Sequence, residues 1–223
     1  MVRDDDFFLE RWVRYYGGLF GRENCYVVNH GNQAVVREIA AGCNLIAIPD
    51  TSEKFDQRRW RLFNGLSTGL RSYFKYVVVG DVDEFVVVDP KAGLDLLGFL
   101  KKAPGRKILT PLGLEVTHRT KQERDPVTGP ILGPRRFVRV NFHYSKPCVV
   151  GFPGKLSRGG HFAEYDQLFT PEALYLFHMK FCDSAQYSGV MDRRNATVAA
   201  AGVTKGETGI GGHWFADERG SDD

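Results

Sequence analysis

Three carboxylates stand together in Asp81-Val82-Asp83-Glu84, between Val77-Val78-Val79 and Val86-Val87-Val88. Continuous β-branched runs read as strands buried on both faces. A carboxylate at the end of such a strand is costly unless a pair, a hydrogen-bond network or a metal takes up its charge. In extended backbone, residues two apart point to one side, which would put Asp81 and Asp83 together. Hard oxygen ligands placed this way suit Mg²⁺ or Mn²⁺ and the phosphates such ions carry. Asp and Gly are also good turn formers, so the cap of a turn is the plainer alternative, with the metal reading favoured.

Other side chains could join them. His178 ends an apolar run over residues 173–179 and is followed by Lys180. The pair suits a metal and a phosphate, or a core histidine with a hydrogen bond. His161 follows Lys155, Arg158 and two glycines, a loop that could close over an anion or lie solvated. Asp50 comes just after a strand and reads as a nucleotide contact or a turn residue. Glu115, His118 and Asp166 fall in the irregular half and are the candidates for a general base, with surface residues as the plain alternative. Glu84 would orient Asp83 or close a salt bridge at the strand end. Arg58 and Arg59 read as a solvated helix face, and Trp12 and Trp60 as packing residues.

The elements that must position these groups alternate. Acids at Asp4-Asp5-Asp6 precede apolar residues at helical spacing (Phe8, Leu9, Trp12, Val13, Tyr16), and Gly17-Gly18 should end that helix. A strand follows over residues 25–29, then a helix capped by Asn32 and running to residue 41, then a strand over residues 44–49. A long helix over residues 55–74 leads to the central strand. This alternation predicts a parallel sheet covered on both faces, with ligands outside the carboxyl ends of its strands. Beyond Pro90 the pattern loosens. A short helix is expected over residues 95–101 and a strand over 107–111. Residues 115–133 should form a polar loop, 136–142 and 147–150 two paired strands, and 184–200 a helix.

Composition narrows the class. The chain has 223 residues, 43% of them hydrophobic, and a formal charge of +3 with both signs interleaved. That is ample for one core and gives no footprint for nucleic acid. Four cysteines without a CxxC pair speak for a reducing compartment and against structural zinc. No stretch approaches the length of a membrane span and no signal-peptide core opens the chain, so a cytoplasmic protein is expected.

With acids, sheet and opening placed, the chain resembles glycosyltransferases of the GT-A type, family 2-like bacterial group. The resemblance is carried by residues 3–12 (RDDDFFLERW) with Tyr15-Tyr16, by Tyr26-Val27-Val28-Asn29, by Gly80-Asp81-Val82-Asp83-Glu84-Phe85, and by Gly160-His161 and Leu176-Phe177-His178. It implies a GT-A-like three-layer α/β/α sandwich with a mainly parallel central sheet. It implies a single domain over residues 1–205, with a nucleotide-binding half (1–90), an acceptor-facing half (91–205) and a flexible tail (206–223). The implied reaction moves a sugar from a nucleotide-sugar donor to a glycan or lipid-linked acceptor hydroxyl in surface polysaccharide synthesis. The implied ion is Mn²⁺ or Mg²⁺, with Asp83 as direct ligand, Asp81 sharing the metal or holding the ribose, and a histidine, His178 or His161, completing the set. Lys155, Lys180 and Asp50 would serve the donor. In relatives a strand precedes the acidic opening; here only Met1-Val2 stand there, so either that strand is missing, or the chain starts too late, or another segment substitutes. Peripheral association with the inner membrane face fits this reading. Two rivals use the same residues: another metal-dependent phosphate enzyme, although Phe85 stands where a DxDxT threonine would be, and a non-catalytic transferase fold that binds a partner.

Overall fold

The computed structural model describes residues 1–51, 54–152, 154–163 and 168–200. It is a mixed α/β fold with five α-helices and ten short strands among those residues. In chain order the elements are α1 (Asp6–Phe20), β1 (Tyr26–His30), α2 (Ala34–Ile39), β2 (Asn44–Ile48), α3 (Phe55–Leu70), β3 (Val77–Val78) and β4 (Glu84–Val88). They continue with α4 (Leu96–Lys102), β5 (Ile108–Leu109), β6 (Leu112–Thr117), β7 (Phe137–Val140), β8 (Val149–Val150), β9 (Leu168–Phe169), β10 (Leu174–Phe181) and α5 (Ser184–Ala200). No described helix is long and apolar enough to cross a membrane.

The strands pair in three groups: β1–β2, then β4–β10–β6–β7, then β3–β8–β5–β9. Three pairings are parallel, β1–β2, β10–β6 and β5–β9. Four are antiparallel. The expected predominance of parallel pairing therefore does not hold among the described residues. Alternation predicted it correctly for β1 and β2. After β2 the long return strand β10 inserts between β4 and β6 and reverses the direction on one side.

Several local expectations are corrected. The helix α1 does not stop at Gly17-Gly18; Leu19 and Phe20 pack on the core and carry it to Gly21, which sits at φ +85°. The helix α2 is shorter than expected, with Asn32 at φ +52° and Gln33 at the cap position. The helix α3 ends at Leu70, where the Arg71 guanidinium gathers the carbonyls of Phe74, Lys75 and Gly151. The two valine runs belong to different sheets, β3 and β4. The acids between them form a turn, closed by Glu84 N–H to Asp81 O at 3.1 Å, instead of extended backbone. Residues 115–117, expected as loop, belong to the strand β6. The strands β7 and β8 do not pair with each other: β7 pairs with β6, and β8 lies between β3 and β5. The tail over residues 206–223 lies outside the described residues.

The main core forms where the apolar stripe of α1 (Phe8, Leu9, Val13, Tyr16) meets β4 and β10. Each such side chain contributes on the order of 1.5–3 kcal/mol when fully buried. Hydrogen bonds fix the register of this contact. The Tyr15 hydroxyl donates to Val86 O (2.7 Å), while the Tyr16 hydroxyl accepts from Val86 N–H (2.8 Å) and donates to Glu84 O (3.3 Å). The opening helix thus anchors the strand on which Glu84 stands.

Candidate functional site

The site is a row of charges across the second sheet. The register sets His178 of β10 directly opposite Glu84 of β4 on one side and Glu115 of β6 on the other. Glu115 in turn stands opposite Arg139 of β7. Residues directly opposite in a sheet share a face, so acid, histidine, acid and arginine lie side by side. Lys146 closes the Glu84 end with a buried ion pair. Asp83, from the turn before β4, reaches His178 Nε2 at 3.3 Å, while His178 Nδ1 faces Glu115 Oε1 at 3.2 Å. Met179 N–H holds the Asp83 carbonyl at 2.8 Å. Asp81 faces Arg59 of α3 at 3.3 Å.

Packing fixes the imidazole. The Tyr144 ring stacks on His178 with centroids 3.7 Å apart, and Lys146 Nζ lies 5.0 Å from the same Tyr144 ring centroid. Gly113 makes this approach possible: a Cβ there would lie 2.4 Å from the Asn141 carbonyl oxygen and 2.5 Å from Ser145 N. Any side chain at 113 would push residues 141–145 off the sheet and Tyr144 off His178.

The charges follow from burial set against partners. Burial pulls His178 down, but Asp83 and Glu115 outweigh it, and its pKa lies above the usual imidazole value. The doubly protonated ring is the form in which both carboxylate contacts are hydrogen bonds. Burial pushes Glu115 up, yet the hydrogen bonds from His178 and Arg139 hold it below the carboxylate norm. Asp81 is likewise pushed up by burial and pulled further down by Arg59 and Lys146. Lys146 loses to burial and gains more from Glu84, ending above its ordinary value.

The sequence candidates separate on this geometry. Asp81, Asp83, His178 and Glu115 come together. Glu115 is 2% exposed and commits its oxygens to Arg139, Asn141 and His178. It orients the imidazole and is poorly placed to take a proton from an acceptor. His118 is no free base either: it accepts Ser184 N–H at Nδ1 (3.1 Å) and meets the Glu123 carbonyl at Nε2 (2.7 Å). Asp166 lies outside the described residues. His161 hydrogen-bonds the His143 carbonyl through Nδ1 (2.7 Å), and burial followed by the charge of Lys146 pulls it down. It is therefore a neighbour of the Lys146 end of the row. Its loop docks on α3, where a Cβ at Gly160 would strike the Trp60 ring at 2.4 Å. Lys155 is exposed on that loop. Lys180 lies over the Phe181 and Tyr187 rings, 4.9 and 5.7 Å from their centroids. Asp50 pairs with Arg3, beside His30, which accepts Thr51 N–H at 3.1 Å.

Comparison with known protein families, with curated proteins and with solved structures gives no match.

Three residues of the site were missed or misread. Arg59, expected on a solvated helix face, is turned inward with 16% of its side chain exposed. Its guanidinium lies within 5.3 Å of the Trp60 ring centroid, and its Nε is buried without a hydrogen-bond partner among the described residues. Lys146 and Arg139 were not singled out, and only strand register brings Arg139 into the row. For Lys146 the signal was a lone cation in an apolar run, between Tyr144 and Cys148-Val149-Val150.

The donor set fits a divalent ion in part. Two neighbouring ligands about 2.1 Å from one octahedral ion stand roughly 3 Å apart, and Asp83 Oδ2 and His178 Nε2 are separated by 3.3 Å. Metal-ligating histidines usually donate their second nitrogen to a carboxylate, as Glu115 is placed to receive. No three His, Cys, Asp or Glu side chains are gathered as a cage among the described residues. Small hard ions held by one or two protein ligands complete their shells with water and phosphate.

Proposed function

We propose that this chain is a metal-dependent glycosyltransferase, moving a sugar from a nucleotide-sugar to an acceptor hydroxyl. The observation that carries the reading is the line Asp83–His178–Glu115, with contacts of 3.3 and 3.2 Å. Asp83 and His178 would hold Mn²⁺ or Mg²⁺, and Glu115 would keep the imidazole nitrogen turned to the ion. The ion would act as a Lewis acid toward the departing diphosphate. Arg59 and Lys146 would face the same phosphates, since both already lie against the acids. The backbone nitrogen of Met1 lies in the field of Asp81 and Arg59, and Arg3, two residues on, pairs with Asp50. That spacing supports a nucleoside lying along the carboxyl ends of β1 and β2, with its phosphates at Asp81. The finer fold reading, a GT-A-like sandwich, goes with this function and draws on the parallel β1–β2 pair with its alternating helices. A lipid-linked or polysaccharide acceptor and a site of action at the inner membrane face belong to the same proposal.

One observation favours a second reading. Asp81 faces Arg59, Glu84 faces Lys146 and Asp83 faces His178, so each acid of the motif already has a cation. A self-neutralised row would also suit a transferase-like fold that binds a partner and performs no chemistry. Calorimetric titration of UDP and GDP, with and without Mn²⁺, separates the two. Mn²⁺-dependent binding that disappears in Asp83→Ala is expected for the transferase. Absence of binding by folded protein, with either nucleotide, would transfer the argument to the second reading.

A further inference from the structure

Among the described residues, the two phenylalanines most open to solvent stand on neighbouring turns: Phe142 is 78% exposed and Phe162 is 75% exposed. Hydrogen bonds fix both turns. Asn141 N–H donates to Gly113 O (3.0 Å), and Tyr144 N–H closes the first turn on Asn141 O (2.9 Å). Ser157 and Phe162 bond each other twice, Ser157 N–H to Phe162 O (2.8 Å) and Phe162 N–H to Ser157 Oγ (3.1 Å). The hairpin they close is held on α3 by Asn64, which accepts Leu156 N–H (2.8 Å) and donates to Leu156 O (2.9 Å). His161, bonded to the His143 carbonyl, ties one turn to the other. The apolar surface continues along β7, the outer strand of its sheet. Val138 and Val140 are exposed there. Residues two apart in extended backbone share a side, and Asn141 continues the extension (φ −133°, ψ 102°). Val138, Val140 and Phe142 therefore line up on the side away from Arg139. A contiguous apolar row on a rigid sheet edge marks an interaction surface.

Charge selects what covers it. The chain from Pro126 to Ala163 contains no Asp or Glu, but it holds Arg135, Arg136, Arg139, Lys146, Lys155 and Arg158. Arg135 pairs with Asp183 and Lys146 with Glu84. Arg139 meets Glu115 with 53% of its side chain still exposed, and Arg136 and Lys155 are exposed. A second copy of the chain suits this poorly, since a two-fold interface sets the same patch on both sides and would bring these cations against their own counterparts. A bilayer with anionic headgroups matches both features: apolar side chains enter the interface while lysines and arginines beside them meet the headgroups.

We propose that Phe142, Phe162 and the outer row of β7 seat the protein on an anionic lipid surface. Phe142 is two residues from Tyr144, whose ring stacks on His178, so the bilayer would lie beside the charge row. This gives the membrane-face part of the transferase reading a definite surface, but it rests on exposure and charge alone. Loss of nucleotide binding and loss of lipid binding are therefore separate outcomes.

The test is co-sedimentation of the whole chain with vesicles of phosphatidylglycerol and phosphatidylcholine in about equal parts. Binding is expected, and about tenfold or more weaker on phosphatidylcholine alone. Phe142→Ser with Phe162→Ser should lower it by about tenfold or more, and Arg136→Ser with Lys155→Ser by about tenfold. Asp83→Ala should bind vesicles as the unaltered protein does. Phe142→Trp, which keeps an aromatic ring, reads insertion directly: its emission should shift to the blue on these vesicles and be quenched by brominated acyl chains. Absence of binding to the mixed vesicles would overturn the proposal, as would binding that the double serine variant retains. A dimer in solution that the double serine variant converts to monomer, with no vesicle binding by either, would assign the surface to a second copy instead.

Discussion

Two buried polar clusters lie within a few residues of each other at the end of β10, and they are built in opposite ways. Around Arg135 the bonds run mainly from side chain to backbone. Arg135 donates to the carbonyls of Cys182 (2.6 Å) and Asp125 (2.9 Å) and to Asp183 (3.2 Å). Glu123 accepts Arg136 N–H (2.7 Å) and Arg119 N–H (3.3 Å). Around His178 the bonds run from charged side chain to charged side chain, and its acids Asp83 and Asp81 remain 22% and 26% exposed. Side chains that satisfy backbone pin a loop in place. Charges that hold one another beside an opening keep a local field that a ligand can use. Burial of a polar residue alone does not distinguish the two cases; the identity of its partner does.

The largest expected effect tests the first cluster. Arg135 is 2% exposed, and its removal leaves Asp183 and two carbonyls without their donor. Arg135→Ala should cost about 3–5 kcal/mol, read as a shift of the urea midpoint, with nucleotide binding per folded molecule unchanged. Asp83→Ala should cost about 1 kcal/mol or less in the same measurement, because its carboxylate is partly solvated. A stability loss at Asp83 as large as that at Arg135 would collapse the distinction and make the acidic turn structural.

The sequence made the two clusters unequally legible. Asp81, Asp83 and His178 stood out by type and neighbourhood, since acids and a histidine ending valine- and leucine-rich runs are costly there without a partner. The alternation of elements through residue 48 was equally plain, because each helix and strand carries its own period. What could not be read was register. Glu115, Arg139 and Glu84 join His178 through strand pairings of residues that lie 24, 63 and 94 positions apart in sequence, and no local pattern encodes which residue falls opposite which. Glu115 was placed in a loop because its strand carries polar residues on the site face, which inverts the usual apolar alternation. Arg59 was assigned to solvent because helical spacing identifies a face but not the acid waiting beside it. The Arg135 cluster gave no signal, since its bonds run mainly to backbone groups, which every residue has.

A middle-sized effect sharpens the second cluster. Glu115→Gln keeps the shape and an acceptor oxygen but removes the charge that holds the Nδ1 proton of His178. Outer partners of metal-bound histidines are worth about 10–100-fold in metal affinity. The variant should therefore weaken Mn²⁺-dependent UDP binding by about that factor, read by calorimetry, with Asp83 and His178 intact. Unchanged affinity would mean that His178 does not reach the ion.

The smallest effect belongs to His118, a histidine sequence reading had offered as a base. Its two nitrogens join Glu123 O to the N–H of Ser184, the first residue of α5. His118→Ala removes both bonds, but one of the groups left behind is open to solvent: Ser184 is exposed, and water can take up its N–H. The cost should therefore be about 1 kcal/mol, near the ordinary net worth of a hydrogen bond, and far below that of Arg135, whose partners Cys182 and Asp183 are buried. Faster amide exchange confined to Ser184 and its neighbours would report the lost link. Mn²⁺-dependent UDP binding should not change. A selective loss of binding in His118→Ala, with the urea midpoint unmoved, would show that a side chain bonded to backbone on both sides can still serve the ligand, and the contrast between the two clusters would fail at that point.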